Sequence, residues 1–209
     1  MHFILPYFII LIIILQFAIK RSSRNHKSRN KQFLERESRA NQVRRKDISN
    51  LNYISIPDNL PLINSGNETF NQLLSNNSGM MRSYNTIIGL KDKKILNLTG
   101  ISNTELKLSY GAANLTELTE YDDNFTTLIK AIASLGHALI DNNDTADALS
   151  FLEYGISIGS DISSNYIDLA IIYAATDRFD DIRKLKEKAG MLKSLSRDNI
   201  IEQLNNMLK

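Results

Sequence analysis

Side chains that could perform chemistry are few in this sequence. The chain of 209 residues contains no Cys and three His, at positions 2, 26 and 137. The lack of Cys excludes disulfides, thiolate zinc sites, iron–sulfur clusters and cysteine nucleophiles. The sequence also has no Gly-rich phosphate loop, no GxSxG motif and no HExxH motif. We therefore expect no enzymatic activity, no metal and no cofactor.

His137 is the only histidine beyond the N-terminal region, and Asp141 follows it by four residues. This spacing places both side chains on one face of a helix, where they could form an acid–base pair. A more common role for such a histidine is at a helix end, stabilised by a carboxylate and the helix dipole. The acidic pairs at 122–123 and 180–181 are adjacent in sequence and do not share a helical face. We interpret them as charges at helix starts, not as metal ligands.

The distribution of charged residues divides the chain into three segments. Residues 1–19 contain no Lys, Arg, Asp or Glu, whereas residues 20–46 contain eleven basic and two acidic residues. Residues 47–209 contain fourteen basic and 21 acidic residues. The chain is thus an apolar head, a basic neck and a mildly acidic body. This asymmetry indicates contact with a membrane surface or a polyanion near the neck only.

The head predicts a membrane anchor. Residues 3–19, FILPYFIILIIILQFAI, are uncharged, and a helix of that length covers about 25 Å of a hydrocarbon core of about 30 Å. A cleaved signal peptide would need basic residues before this run and a small-residue cleavage site after it, and both are missing. We expect a single transmembrane helix over 1–19. The basic flank behind it predicts an external N-terminus and a cytoplasmic body.

The neck, residues 20–47, is predicted to be partly helical. Lys20, Arg21, Arg24 and Lys27 directly follow the predicted anchor. They could contact anionic lipid headgroups, at about 1 kcal/mol per basic residue, or could serve only as a stop-transfer flank that sets topology. Because Phe33 is the only aromatic residue of the neck, there is no stacking platform, and we expect no nucleic-acid partner.

The body begins with a strap, residues 48–62, which Pro57 and Pro61 predict to be extended. A helical domain over 63–209 follows. Its clearest signal is a set of apolar residues spaced by three and four, which predicts one long amphipathic helix. These residues are Leu118, Tyr121, Phe125, Leu128, Ile132, Leu135 and Leu139. Shorter helices are predicted at about 145–159, 163–176, 179–192 and 196–208.

A period of 34 residues relates 129–162 to 163–196. Large residues align with large ones, and most small positions stay small. The aligned pairs include Ile132 with Tyr166, Leu135 with Leu169, Gly136 with Ala170, Leu139 with Tyr173, Ala148 with Ile182 and Gly155 with Ala189.

The segment LAIIYAATDRFDDIRKLKEKA, from Leu169 to Ala189, resembles the helix–turn–helix unit of the tetratricopeptide repeat (TPR) family, and Leu135 to Gly155 does so similarly. The resemblance implies TPR-like repeats at about 129–162 and 163–196, capped by the flanking helices. The expected fold class is therefore all-α: an N-terminal single transmembrane helix followed by a TPR-like helical-hairpin domain, a fragment of an α-solenoid. More loosely, segments of the neck and body resemble uncharacterised single-span membrane proteins of Gram-positive, clostridial-type bacteria. That second resemblance implies an anchor and a fold but no activity.

Members of the TPR family usually bind peptides on the wall formed by the first helix of each pair. The alignment implies that His137, Asp141, Ile167 and Ile171 lie on this wall. Either the strap covers the two isoleucines or a partner does. The sequence thus predicts a membrane-tethered cytoplasmic scaffold or adaptor with a protein partner of unknown identity. The alternatives are a self-associating structural membrane protein, since a homo-oligomer is compatible with the sequence, and an enzyme on a helical scaffold.

Overall fold

The computed structural model describes residues 4–58, 60–61 and 68–208, without the side chains of residues 4–11, 13, 18 and 21–26. Over this part of the chain there are nine α-helices, a short 3-10 turn at Ala112–Asn114 and no strand. The helices are α1 Ile4–Asn41, α2 Glu68–Asn76, α3 Ser78–Gly89, α4 Asn103–Tyr110, α5 Leu115–Asp141, α6 Thr145–Ser157, α7 Ser163–Ala175, α8 Phe179–Gly190 and α9 Arg197–Met207.

The predicted fold class is wrong in its membrane component. The described residues form helices and no strand, but none of these helices is long and apolar enough to cross a membrane. Helix α1 continues without interruption from the apolar residues into the basic ones that begin at Lys20. The apolar run alone covers only about 25 Å of the roughly 30 Å required. The predicted anchor over 1–19, of which residues 1–3 lie outside the described part, is therefore corrected. The predicted location, as a single-pass membrane protein with an external N-terminus and a cytoplasmic body, is corrected for the same reason.

The chain forms two compact units. Unit 1 comprises the described part of Met1–Asp47 together with Ser102–Leu115, and unit 2 comprises the described parts of Ile48–Ile101 and Thr116–Lys209. In unit 1, α1 packs against α4. Lys107 forms an ion pair with Glu37, and the Thr104 hydroxyl donates a 2.7 Å hydrogen bond to the same carboxylate. These contacts fix the C-terminal part of α1.

Unit 1 is closed by a turn at Gly111, which has φ +92°. A Cβ at this position would lie 2.3 Å from the carbonyl oxygen of Arg44, so only glycine fits the backbone conformation and the close approach. Beside it, the Asn114 side chain accepts a 2.8 Å hydrogen bond from Arg45 Nε and donates one of 2.7 Å to the Lys46 carbonyl. Gly111 and Asn114 therefore join the end of the neck to the segment after α4.

Unit 2 is built around α5. All seven apolar residues of the predicted periodic face are buried, which confirms this face. The small residues Gly136 and Gly155 lie where helices cross. A Cβ on Gly136 would be 2.6 Å from Leu152 Cδ2, and one on Gly155 would be 2.4 Å from Asn165 Nδ2. These close approaches place α6 between α5 and α7, and α8 and α9 complete the packing.

The strap contains no helix in its described residues. Ile56 and Leu60 are buried in the core of unit 2. The Ile54 amide donates to the Ile95 carbonyl at 2.9 Å, and the Tyr154 hydroxyl of α6 donates to the Ser55 carbonyl at 3.2 Å. The strap is thus fixed against α6 and the segment that follows α3.

Candidate functional site

The predicted wall residues lie on two helices of unit 2. His137 and Asp141 belong to the last turns of α5, and Ile167 and Ile171 are one turn apart on α7. We name the surface formed by these four residues and Asp168 the α5–α7 face. Asp168 links the two helices, and the sequence analysis did not identify it.

The imidazole of His137 joins α5 to α7. Its Nδ1 lies 3.0 Å from Oδ2 of Asp168, whereas its Nε2 lies 3.8 Å from Oδ2 of Asp141. The predicted partner four residues away is thus the more distant one. An aspartate 31 residues away makes the hydrogen bond, and only the packing of the two helices brings it there.

Asp168 is 6% exposed and is one of the few buried charged or polar residues of the described chain. Burial raises the pKa of Asp168, and His137 opposes that rise with its charge and its hydrogen bond. A buried carboxylate is stable only when another group compensates its lost hydration. His137 supplies that compensation and remains largely exposed itself.

The two carboxylates meet opposite edges of the imidazole ring, so the three side chains do not converge on one point. Accordingly, no group of three His, Asp or Glu residues in the described part of the chain could hold a metal ion. The arrangement can hold a proton between His137 and Asp168. It also leaves the Asp141 carboxylate exposed.

The two isoleucines differ in exposure. Ile167 is partly buried and packs against the core, whereas Ile171 is 47% exposed. The described contacts of the strap are with α5, with α6 and with the segment 91–95, and Ile171 remains exposed. Of the two covers considered from the sequence, the described part of the strap is thus not the cover of Ile171.

The residues predicted to contact anionic lipid lie on α1. Lys20 and Lys27 are exposed, and the side chains of Arg21 and Arg24 lie outside the described ones. These four residues belong to unit 1 and are not part of the α5–α7 face.

Asp168 could have been found from the sequence only by combining two signals. It follows Ile167, which the 34-residue period places on the wall, and it is the only charged residue of α7. A lone aspartate between large apolar residues usually requires a partner from a neighbouring helix.

In comparisons with known proteins, the chain matches no family model, no curated protein and no solved structure. Its functional assignment therefore depends on the geometry of its own residues.

Proposed function

We propose that the chain is a protein-interaction module that binds a segment of another protein on the α5–α7 face. The observation that carries this proposal is Ile171, an isoleucine 47% exposed on a helix whose neighbouring residues are buried. A second support is the resemblance of residues 129–196 to TPR repeats, whose corresponding wall binds peptides.

The side chains of the α5–α7 face define which groups a ligand must carry. Ile171 provides an apolar contact, and Asp141, which is exposed, provides a negative charge one helix away. A protein segment with an apolar side chain and a nearby Lys or Arg would satisfy both. The His137–Asp168 hydrogen bond holds α5 and α7 together beneath that segment, so the two contacts keep a fixed separation.

Ile171→Ser tests this proposal. Because Ile171 is about half exposed, we expect its replacement to lower the free energy of unfolding by about 1 kcal/mol, which leaves the chain folded. The matched control is Leu195→Ser, which removes an equally apolar side chain from a fully exposed position away from the face. Proteins retained by the immobilised wild-type chain would be identified, purified and titrated against all three forms by calorimetry.

We expect the partner to bind wild type and Leu195→Ser equally and Ile171→Ser at least about tenfold more weakly, as for an interface residue near the centre of a contact. Asp141→Asn should weaken binding less and make it less sensitive to salt. Equal affinity for all forms would contradict the proposal. Loss of self-association in sedimentation, with no foreign partner retained, would favour the alternative of a self-associating protein.

A further inference from the structure

A groove of about 500 Å³ opens on unit 2, at the ends of α6 and α8. It shares no lining residue with the α5–α7 face. Its walls come from the segment 97–101, from the turn after α6, and from the segment 191–194 after α8. Ligand sites for small molecules have volumes of about 300–1,000 Å³, so the groove has the size of such a site.

The walls of the groove are fixed by specific contacts. Asn97 Nδ2 donates to the carbonyls of Ile158 and Gly159 at 3.5 and 3.4 Å, and its Oδ1 accepts from the Thr99 amide at 3.0 Å. Gly159 has φ +86° and faces the Asn97 amide closely. Because these bonds tie segment 97–101 to the turn after α6, the groove is formed before any ligand enters it.

Two hydroxyl side chains line the groove. Tyr166 of α7 is 1% exposed and contributes its ring and hydroxyl to the wall. Burial and the nearby Asp161 raise its pKa to about 12, so the hydroxyl is a neutral donor at physiological pH. The second is Ser194, whose Oγ is buried and has no hydrogen-bond partner in the described part of the chain. Buried polar groups normally have partners, and a ligand in the groove would supply them.

The charges of the groove define the ligand further. Lys188 and Lys193 line it, and neither ammonium group has a carboxylate within ion-pair distance in the described part of the chain. Asp161 also lines the groove, so its side chains carry one net positive charge. This balance suits a monoanion better than a dianion, which Asp161 would repel. Ile101, Ile156, Met191 and Leu192 add apolar surface.

We propose that the groove binds a small organic monocarboxylate. Its carboxylate pairs with Lys188 and Lys193, its apolar body lies along Ile156, Met191 and Leu192, and it accepts a hydrogen bond from Tyr166. A concave site with apolar walls and a few polar groups is the common form of a small-molecule site.

Titration calorimetry of the full chain with octanoate tests this proposal, with octylamine and inorganic phosphate as comparison probes. We expect saturable binding of octanoate only. In the double variant Lys188→Gln with Lys193→Gln, affinity should fall by about tenfold or more, because charge-assisted hydrogen bonds are lost. Lys186→Gln, on the same helix but outside the groove, is the matched control and should bind like wild type.

Tyr166→Phe keeps the buried ring and removes only the hydroxyl, so the fold is retained and affinity should fall about threefold to tenfold. Amide NMR shifts should locate octanoate at Gly100, Gly159 and Ser194 and leave Ile171 unchanged. No saturable binding, unchanged affinity in the lysine double variant, tighter binding of phosphate or octylamine, or shifts centred on Ile171 would each overturn the proposal. The first three outcomes do not bear on partner binding at the α5–α7 face, whereas shifts centred on Ile171 would place octanoate on that face.

Discussion

Two helical hairpins of unit 2 can be compared position by position. The first consists of the C-terminal half of α5 with α6, and the second of α7 with α8. Six of the residue pairs that lie 34 positions apart in the two hairpins are buried in both. Buried pairs are Ile132 with Tyr166, Leu135 with Leu169, Gly136 with Ala170, Leu139 with Tyr173, Ala148 with Ile182 and Gly155 with Ala189.

The outward positions are equivalent in exposure but not in chemistry. His137 corresponds to Ile171 and Asp141 to Ala175, and all four are exposed. One hairpin thus presents charge to solvent where the other presents an apolar surface. Packing restricts the size of the interior residues, whereas the outward residues are free to differ, and this difference makes the α5–α7 face mixed in polarity.

The largest expected effect concerns the buried pair Leu135 and Leu169. Both are almost fully buried, so Leu135→Ala and Leu169→Ala should each lower the free energy of unfolding by about 2–5 kcal/mol. Chemical denaturation of both variants measures this. Asn142→Ala, at an exposed position after α5, is the control and should cost little. A large loss in one hairpin alone would mean that the two hairpins are not equivalent.

A smaller effect is expected at the glycines. A Cβ on Gly155 would lie 2.4 Å from Asn165 Nδ2 and 3.0 Å from Ile132 Cγ2, whereas a Cβ on Gly190 would have no neighbour within 4 Å. Gly155→Ala should therefore destabilise the fold by about 1–3 kcal/mol. Gly190→Ala should stabilise α8 by up to about 1 kcal/mol, because alanine favours helix. If thermal unfolding shows the same sign for both variants, the close crossing at Gly155 is misplaced.

The smallest expected effect is an opposite pH dependence of the stability that two aspartates contribute. Burial raises the pKa of Asp168, so its contribution to stability is fully present below its ordinary pKa of 3.8 and is lost as pH rises through the raised value. Hydrogen bonds from Lys184 and Arg178 lower the pKa of Asp181, so its contribution is present above 3.8 and is lost as pH falls.

In the wild type, Asp168 makes the fold less stable as the pH rises, and Asp181 makes it more stable as the pH rises. Asp168→Asn should therefore abolish the first dependence, and Asp181→Asn should abolish the second. Denaturation midpoints of wild type and both variants, measured from pH 3 to pH 8, check the two signs. Slopes that change in the same direction in both variants would contradict the assigned environments.

The sequence allowed the helices of unit 2 to be predicted where apolar periodicity is strong. The positions from Leu118 to Leu139 are buried as expected, and α7 ends within a residue of its predicted end. Helix α4 was not predicted, although Ser102 and Glu105 form the capping box that begins it. Its eight residues bury only Leu106, so its apolar pattern is too short to detect.

Apolar periodicity could not predict the contacts of the site, and it led to a wrong prediction of a membrane anchor. The pairing of His137 with Asp168 depends on two helices meeting, and the local spacing favoured Asp141 instead. The anchor was inferred from an apolar run near the lower limit of length, where hydropathy alone does not decide between a span and another helix. The groove at Tyr166 is formed by three segments that are distant in sequence, and no local pattern marks it.

The closure at Gly111 has a consequence for the order of folding during synthesis. Residues of the neck and of α4 that bond to one another are separated by 66 to 70 positions. When the C-terminal end of α1 leaves the ribosome, the segment that covers Ala40 and receives Glu37 has not yet been made. Closing so long a loop is slow compared with forming a helix. Unit 1 therefore completes only after residues 48–101 have emerged, and the C-terminal part of α1 lacks its contacts with α4 during that interval.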